Sequence, residues 1–167
     1  MIIKSINKIK QIIRIFLIKI NYGKQIYIGK KFSFRKGLSI QLGKNAKIKI
    51  GNNVFMNNFC SINSLDYIEI GDDCILGEGI KIYDHDHVFN KKGLIRKSGF
   101  KTSEVIIGKN CWIGSNVIIL KGAQIGNNCV IGAGCIIDEK IEDNCIVKMD
   151  RTINSTKIKT GGKTDGC

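Results

Sequence analysis

The chain has 167 residues, with 27 Lys and Arg against 14 Asp and Glu and a formal net charge of +13. That length allows one domain with a sizeable core, and the charge favours polyanions, anionic membrane surfaces or phosphorylated ligands as partners. Seven cysteines, an odd number without framework spacing, argue against a disulfide scaffold and for a reducing compartment.

Residues 1–22 read as a basic amphipathic helix. Lys8, Lys10, Arg14 and Lys19 interrupt the apolar run, so it is too charged to span a bilayer or to serve as a signal segment. Ile2, Ile6, Ile9, Ile13, Phe16 and Ile20 recur at spacings of 4, 3, 4, 3 and 4, which is one helix face, with basic residues beside it. Such a face fits an anionic membrane interface, and equally the rest of the protein or another subunit. Ile15 and Ile18 fall off the stripe and favour burial. The expected position is against the first turn of the following domain, with the basic flank toward a membrane.

Residues 23–147 carry a six-residue period. Apolar anchors stand at Ile28, Phe34 and Ile40, at Ile50, Met56 and Ile62, at Ile70, Leu76 and Ile82, and then without a break at Ile107, Ile113, Ile119, Ile125, Ile131 and Ile137. The residue after the anchor is Gly, Asn or Asp at eleven of these fifteen positions, residues that tolerate left-handed or tight backbone. Cys60, Cys74, Cys111, Cys129, Cys135 and Cys145 each lie four residues after an apolar anchor, where they read as buried core fillers. A period of six suits short strands joined by tight turns, three to a coil, stacked into a parallel β-solenoid.

The run "IIGKNCWIGSNVIILKGAQIGNNCVIGAGCII" resembles the hexapeptide-repeat acyltransferases, and the resemblance extends over roughly residues 26–147. It implies a left-handed parallel β-helix of the β class, with an N-terminal amphipathic α-helix and one long extruded loop. It also implies a homotrimer with active sites between neighbouring subunits, and acetyl-CoA as co-substrate with no metal expected.

The period breaks at length once, between Ile82 and Ile107, and the loop 84–105 fills the gap. Both histidines of the chain stand in it, in "DHDH". A long loop on a rigid solenoid is a place for function, and Phe89, Arg96 and Phe100 suit a lid. Acetyl transfer to a hydroxyl needs a base, which imidazole suits because its ordinary pKa lies near neutrality, and a carboxylate beside it to fix the tautomer. Asp84 and Asp86 are candidates for that carboxylate.

The chain is similar to the galactoside and maltose acetyltransferases and to sugar O-acetyltransferases of polysaccharide loci. Laid without gaps from Gly51, that similarity places His87 on the catalytic histidine and Asn57 on an active-site asparagine near the acceptor sugar. The Asp-His order of serine acetyltransferases keeps Asp84 and His85 in play. The plain alternative for Asn57 is a turn residue. Ser115 and Ala133 are eighteen residues apart, which stacks them on adjacent coils. The resemblance implies that the backbone there, with Gly114, binds the pantetheine arm, and that Trp112 lines the acyl or acceptor site. A core or interface tryptophan is the plain alternative.

Residues 148–167, a basic and finally Gly-rich tail, depart from the family pattern, and Lys140, Lys148, Arg151, Lys157 and Lys159 are available for coenzyme phosphates without an assignable place. The expected activity is acetyl-CoA-dependent O-acetylation of a sugar hydroxyl in bacterial surface-polysaccharide assembly. It would take place in the cytoplasm, at the inner face of the membrane, with no nucleic-acid partner. N-acetylation of a nucleotide-linked amino sugar, a serine acetyltransferase-like reaction and a non-catalytic β-helix are the rivals. A metalloenzyme of the γ-carbonic anhydrase kind, which uses a similar solenoid, is a further rival, but its site needs three histidine ligands and the chain has two.

Overall fold

The computed structural model describes residues 2–150. Ile2–Tyr22 form α1. Six coils of a left-handed parallel β-helix follow. The first is β1 (Ile26–Ile28), β2 (Ser33–Phe34) and β3 (Ser39–Leu42); the second is β4 (Lys47–Ile50), β5 (Phe55–Met56) and β6 (Ser61–Ser64). The third is β7 (Tyr67–Ile70), β8 (Ile75–Leu76) and β9 (Lys81–Tyr83), after which β10 (His85–His87) and β11 (Phe100–Thr102) leave as an antiparallel hairpin. The helix resumes with β12 (Val105–Ile107), β13 (Trp112–Ile113) and β14 (Ile118–Ile119), then β15 (Gln124–Ile125), β16 (Val130–Ile131) and β17 (Ile136–Ile137), and ends on β18 (Lys140–Ile141) and β19 (Ile146–Val147).

The first, second and third strands of each coil stack into three parallel sheets, the faces of a triangular prism. A regular coil advances eighteen residues, as in Ile107↔Ile125 and Ile113↔Ile131. The first step is longer (Ile26↔Ile48), as is the second (Ile48↔Ile68), and the last is shorter (Ile125↔Ile141). All of that variation falls at the third corner, where the third strand turns back to the first sheet. The hairpin leaves from the same corner.

Two residues of each hexapeptide point inward, the anchor and the residue two before it. Fourteen of the fifteen anchors are buried; Ile40, in the first coil, is half-covered by α1. Cys60, Cys74, Cys111, Cys129 and Cys135 are buried beside them as the sequence suggested, but Cys145 is only half-buried. It lies in the last coil, with no described coil beyond to cover it.

The residue after the anchor is glycine for a reason other than left-handed backbone. Positive φ falls two positions later, at Asn53, Asp73, Asn110, Asn128 and Asn144 among others. At Gly71 a Cβ would come within 2.6 Å of the Gly108 carbonyl oxygen on the next coil, so it is coil-to-coil approach that excludes a side chain. The left-handed asparagines stack their amides, Asn110 on Asn128 at 2.9 Å and Asn128 on Asn144 at 3.1 Å.

α1 closes the N-terminal end. Inside the stack, each anchor carbonyl accepts from the coil before it: Ile50 from Gly29 N–H, Ile70 from Gly51 N–H, Ile107 from Gly71 N–H. The first coil has no coil before it, and side chains of α1 supply the donors. Lys19 Nζ donates to Ile28 O at 3.2 Å, Gln11 Nε2 to Phe34 O and Tyr22 Oη to Ile40 O at 2.9 Å, while Arg14 reaches Leu38 O. The docked face is therefore Gln11, Ile15, Ile18 and Tyr22. The expected packing on the first turn holds, and the expected face does not: Ile9, Ile13, Phe16 and Ile20 lie more than half exposed. Ile2 and Ile6 have side chains outside the described residues, as does all of the tail from Arg151 to Cys167. Among the described residues no helix is long and apolar enough to cross a membrane.

Candidate active site

The hairpin is rooted on Asp84, whose side chain is wholly buried. Its carboxylate accepts from the Ser64 hydroxyl at 2.6 Å and from the N–H groups of Leu65 and Asp66, each at 2.8 Å. His85 Nδ1 lies 3.0 Å from Oδ1 of the same carboxylate. Burial pushes the Asp84 carboxyl up, but the bonds from Leu65 N–H, the Ser64 hydroxyl, His85 and Asp66 N–H together outweigh it and hold the group below the ordinary aspartate value.

The two histidines share one face of β10. His85 is 13% exposed at its side chain, and its ring meets the edge of Phe100 at 5.4 Å between centroids. His87 is exposed, and its ring tilts over the same Phe100 at 4.6 Å. The chain of contacts thus runs from a buried carboxylate through His85 and Phe100 to His87. Of the two candidate orienting carboxylates, Asp84 reaches a histidine; Asp86 instead pairs with Lys121 at 3.2 Å. The tip of the loop, with Phe89 and Arg96, is solvent-exposed.

The second corner holds the other candidates. Trp112 projects outward from β13, 57% exposed, between Ile75 and Val130 on the neighbouring coils. Gly114 and Ser115 follow it, and Ala133 stands one coil further on. A Cβ on Gly114 would lie 2.6 Å from Ala133 N, so the two coils run backbone against backbone there. Gly134 N–H donates to Ser115 O at 2.9 Å, and Ser115 Oγ accepts from Glu78 N–H at 3.3 Å.

Asn57 lies at this same corner in the second coil, where its Oδ1 accepts from Asn58 N–H at 2.9 Å, a turn-forming bond. Within one chain, then, Asn57, Ser115 and Ala133 line one corner and the histidines another. Sequence reasoning missed Ser64, whose only signal is a serine at an inward position of "SINS", and Lys121.

The fold and its extruded hairpin define the class, and the comparisons agree. The description "Bacterial transferase hexapeptide (six repeats)" matches residues 104–139, and the chain belongs to the hexapeptide-repeat transferase family. WbbJ of Escherichia coli strain K12, ascribed to lipopolysaccharide biosynthesis as an O-acetyl transferase, is 30% identical over 130 residues, covering 73% of this chain and 66% of that protein. A maltose O-acetyltransferase from Clostridium difficile 630 is 34% identical with a TM-score of 0.62, covering 74% of this chain and 65% of that one. A galactoside acetyltransferase in complex with coenzyme A is 30% identical with a TM-score of 0.59, covering 69% and 60%. The chain spans slightly less than two thirds of the length of each of these three proteins.

Proposed function

We propose that this chain is an acetyl-CoA-dependent acyltransferase that acetylates a sugar hydroxyl during assembly of a bacterial surface polysaccharide. The observation that carries the reading is the Asp84–His85–Phe100–His87 cluster on a hairpin extruded from a hexapeptide solenoid. A maltose O-acetyltransferase, a coenzyme A-bound galactoside acetyltransferase and a protein ascribed to lipopolysaccharide biosynthesis support it.

His87 is the general base, being the imidazole open to a substrate. It takes the proton of the acceptor hydroxyl as that oxygen attacks the thioester carbonyl. The tetrahedral intermediate then collapses, the C–S bond breaks, and the imidazolium protonates the departing thiolate. Asp84 and His85 are positioning residues that hold Phe100, and through it the His87 ring. Trp112 and the backbone at Gly114, Ser115 and Ala133 bind the pantetheine arm and the acyl group, with backbone donors for the oxyanion. Asn57 orients the acceptor. Because the second and third corners are separate in one chain, the working unit is a homotrimer in which Asn57 of one subunit faces a histidine of another. The enzyme works in the cytoplasm, peripherally at the inner face of the membrane through residues 1–20.

A second reading has a specific observation behind it. The 3.0 Å contact to Asp84 would make His85 the base, with Asp84 fixing its tautomer. Thiol release from acetyl-CoA with a sugar acceptor separates the two. On the first reading His87→Ala lowers turnover about 10²- to 10⁴-fold with fold and assembly unchanged. An inactive His85→Ala beside a near-normal His87→Ala moves the base to His85. A wild-type protein that neither binds acetyl-CoA nor releases thiol ends the enzyme reading.

A further inference from the structure

Between α1 and the first coil, at the second corner, lies a cleft of about 500 Å³. Lys10 and Arg14 line it from the helix, Arg35 and Lys36 from the turn after β2, with Gln11 and Asn58 as polar neighbours. Among the described residues no carboxylate lines it. Among the described residues none of the four cations makes an ion pair. The nearest acidic side chain bonded to the lining is Glu78, which accepts from Asn58 Nδ2 at 3.4 Å from the next coil.

Aromatic rings hold three of the charges in place. Arg14 lies over Phe34 at 5.5 Å, Arg35 over Phe55 at 6.0 Å and Lys36 over Phe59 at 5.5 Å. Ring contacts fix a cation while leaving N–H donors free. Arg14 also donates to Leu38 O, which sets the pitch of its guanidinium. Four neighbouring positive charges with no counter-charge among the described residues repel one another, and a compact ligand with more than one negative charge relieves that best. A diphosphate fits this description.

Position narrows the ligand further. The cleft lies along the same corner as Asn57, Ser115 and Ala133, and Asn58, the residue after Asn57, lines it. A sugar at Asn57 can extend an anomeric diphosphate into it. On the outer side of α1, Ile9, Ile12, Ile13, Phe16, Leu17 and Ile20 are all more than half exposed, with nothing packed over them among the described residues. A contiguous apolar face beside a cationic cleft matches the boundary of a bilayer, where phosphate lies immediately above hydrocarbon.

We propose that the cleft between α1 and the first coil binds the diphosphate of a lipid-linked glycan, while the outer face of α1 sits in the bilayer that holds the lipid. This rests on the transferase reading above, and it names the class of acceptor: a sugar joined through a diphosphate to a membrane-embedded chain. A glycosyl- or sugar-phosphate transferase that charges a lipid phosphate must supply such a substrate.

The test uses the full-length protein and three probes. These are vesicles of neutral phospholipid doped with a polyprenyl diphosphate, vesicles brought to the same surface charge with phosphatidylglycerol, and soluble UDP. Wild type is expected to bind the diphosphate vesicles at least about tenfold more tightly than the charge-matched ones, the scale of one charge-assisted contact. Inorganic pyrophosphate should compete. R35Q/K36Q should abolish the preference, and I13S/F16S should weaken both vesicle types while leaving pyrophosphate binding intact.

Equal binding to the two vesicles would reduce the site to ordinary attraction by an anionic surface and overturn the proposal. So would a preference that survives R35Q/K36Q. UDP binding as tight as vesicle binding and untouched by I13S/F16S would assign the cleft to a soluble sugar nucleotide. Loss of assembly in I13S/F16S with vesicle binding unchanged would assign the helix face to subunit packing. Acetyl-CoA binding, read on the same samples, keeps failure of the transferase reading separate: its absence beside intact diphosphate binding sinks the enzyme and leaves the anion site standing.

Discussion

Replacing Asp84 by Asn tests the root of the hairpin without changing its size. Oδ1 accepts from Leu65 N–H and faces His85 Nδ1, and Oδ2 accepts from Asp66 N–H and the Ser64 hydroxyl. An amide turns one of these oxygens into an NH₂ group. His85 can change tautomer and Ser64 can rotate, but in either orientation one backbone N–H points at a donor. One buried donor is lost and the surviving bonds lose their charge assistance, so D84N should destabilise by about 2–4 kcal/mol. That corresponds to a Tm lower by about 5–15 °C at fixed protein concentration for a chain of this length. The pH dependence gives an independent reading. A carboxyl held below its unfolded value adds stability that is present above about pH 4 and lost as pH falls through the folded value, so the gap between wild type and D84N should shrink on acidification below about pH 4. A Tm within about 1 °C of wild type at neutral pH, or a gap that widens in acid, would refute the reasoning.

Gly71→Ala places a Cβ 2.6 Å from Gly108 O and 2.9 Å from Lys109 N, both backbone, whereas at Gly132 the nearest atom is Val147 O at 3.1 Å. Urea unfolding should therefore show a loss of about 1–3 kcal/mol for G71A and clearly less for G132A. Brief iodoacetamide treatment with mass spectrometry should modify Cys145 before Cys60, Cys74, Cys111, Cys129 or Cys135, since the last five are buried. Tyr22→Phe removes one donor from the open edge at Ile40 O and should lower stability by about 0.5–1.5 kcal/mol, with α1 still helical by circular dichroism.

The solenoid was legible because its signal repeats. One anchor in six recurs through the domain, with Gly, Asn or Asp beside it at eleven of fifteen positions, and fourteen buried anchors answer to that pattern. The reason for the glycines was not legible, because the clash at Gly71 is with Gly108, a residue made adjacent only by the stacking. The face of α1 misled for a related reason. A stripe of apolar residues predicts an apolar seat, but the end of a β-solenoid is a ring of carbonyl oxygens around a small dry centre. It takes Gln11, Lys19 and Tyr22 as donors to the ring, and Ile15 and Ile18 over the centre. In the site, "DHDH" announced the chemistry and Asp84 was among the candidate carboxylates. That Asp84 rather than Asp86 reaches a histidine depends on Ser64, Leu65 and Asp66 from the coil before. The cationic cleft joins residues from α1 and the first coil whose meeting no local pattern encodes.

The hairpin leaves the stack without breaking it because a side chain replaces a missing backbone acceptor. At the third corner of the first coil, Gly43 N–H donates to Ser64 O at 2.8 Å, the ordinary coil-to-coil bond. One coil on, Leu65 N–H stands in the place of Gly43 and Asp84 in the place of Ser64. But the carbonyl of Asp84 is turned to the returning strand, where it accepts from Ser103 N–H at 2.9 Å. Leu65 N–H takes the Asp84 carboxylate instead, at 2.8 Å. The carboxylate that satisfies the interrupted ladder is therefore the one beside His85, and the exit of the loop and the orientation of its imidazole share one group. A solenoid can vary its length at this corner because the other two corners keep their register through the interruption, with Leu76 still opposite Ile113 and Ile82 opposite Ile119. An inserted segment that brings its own acceptor costs the ladder nothing, and in this chain that acceptor arrives attached to the candidate chemistry.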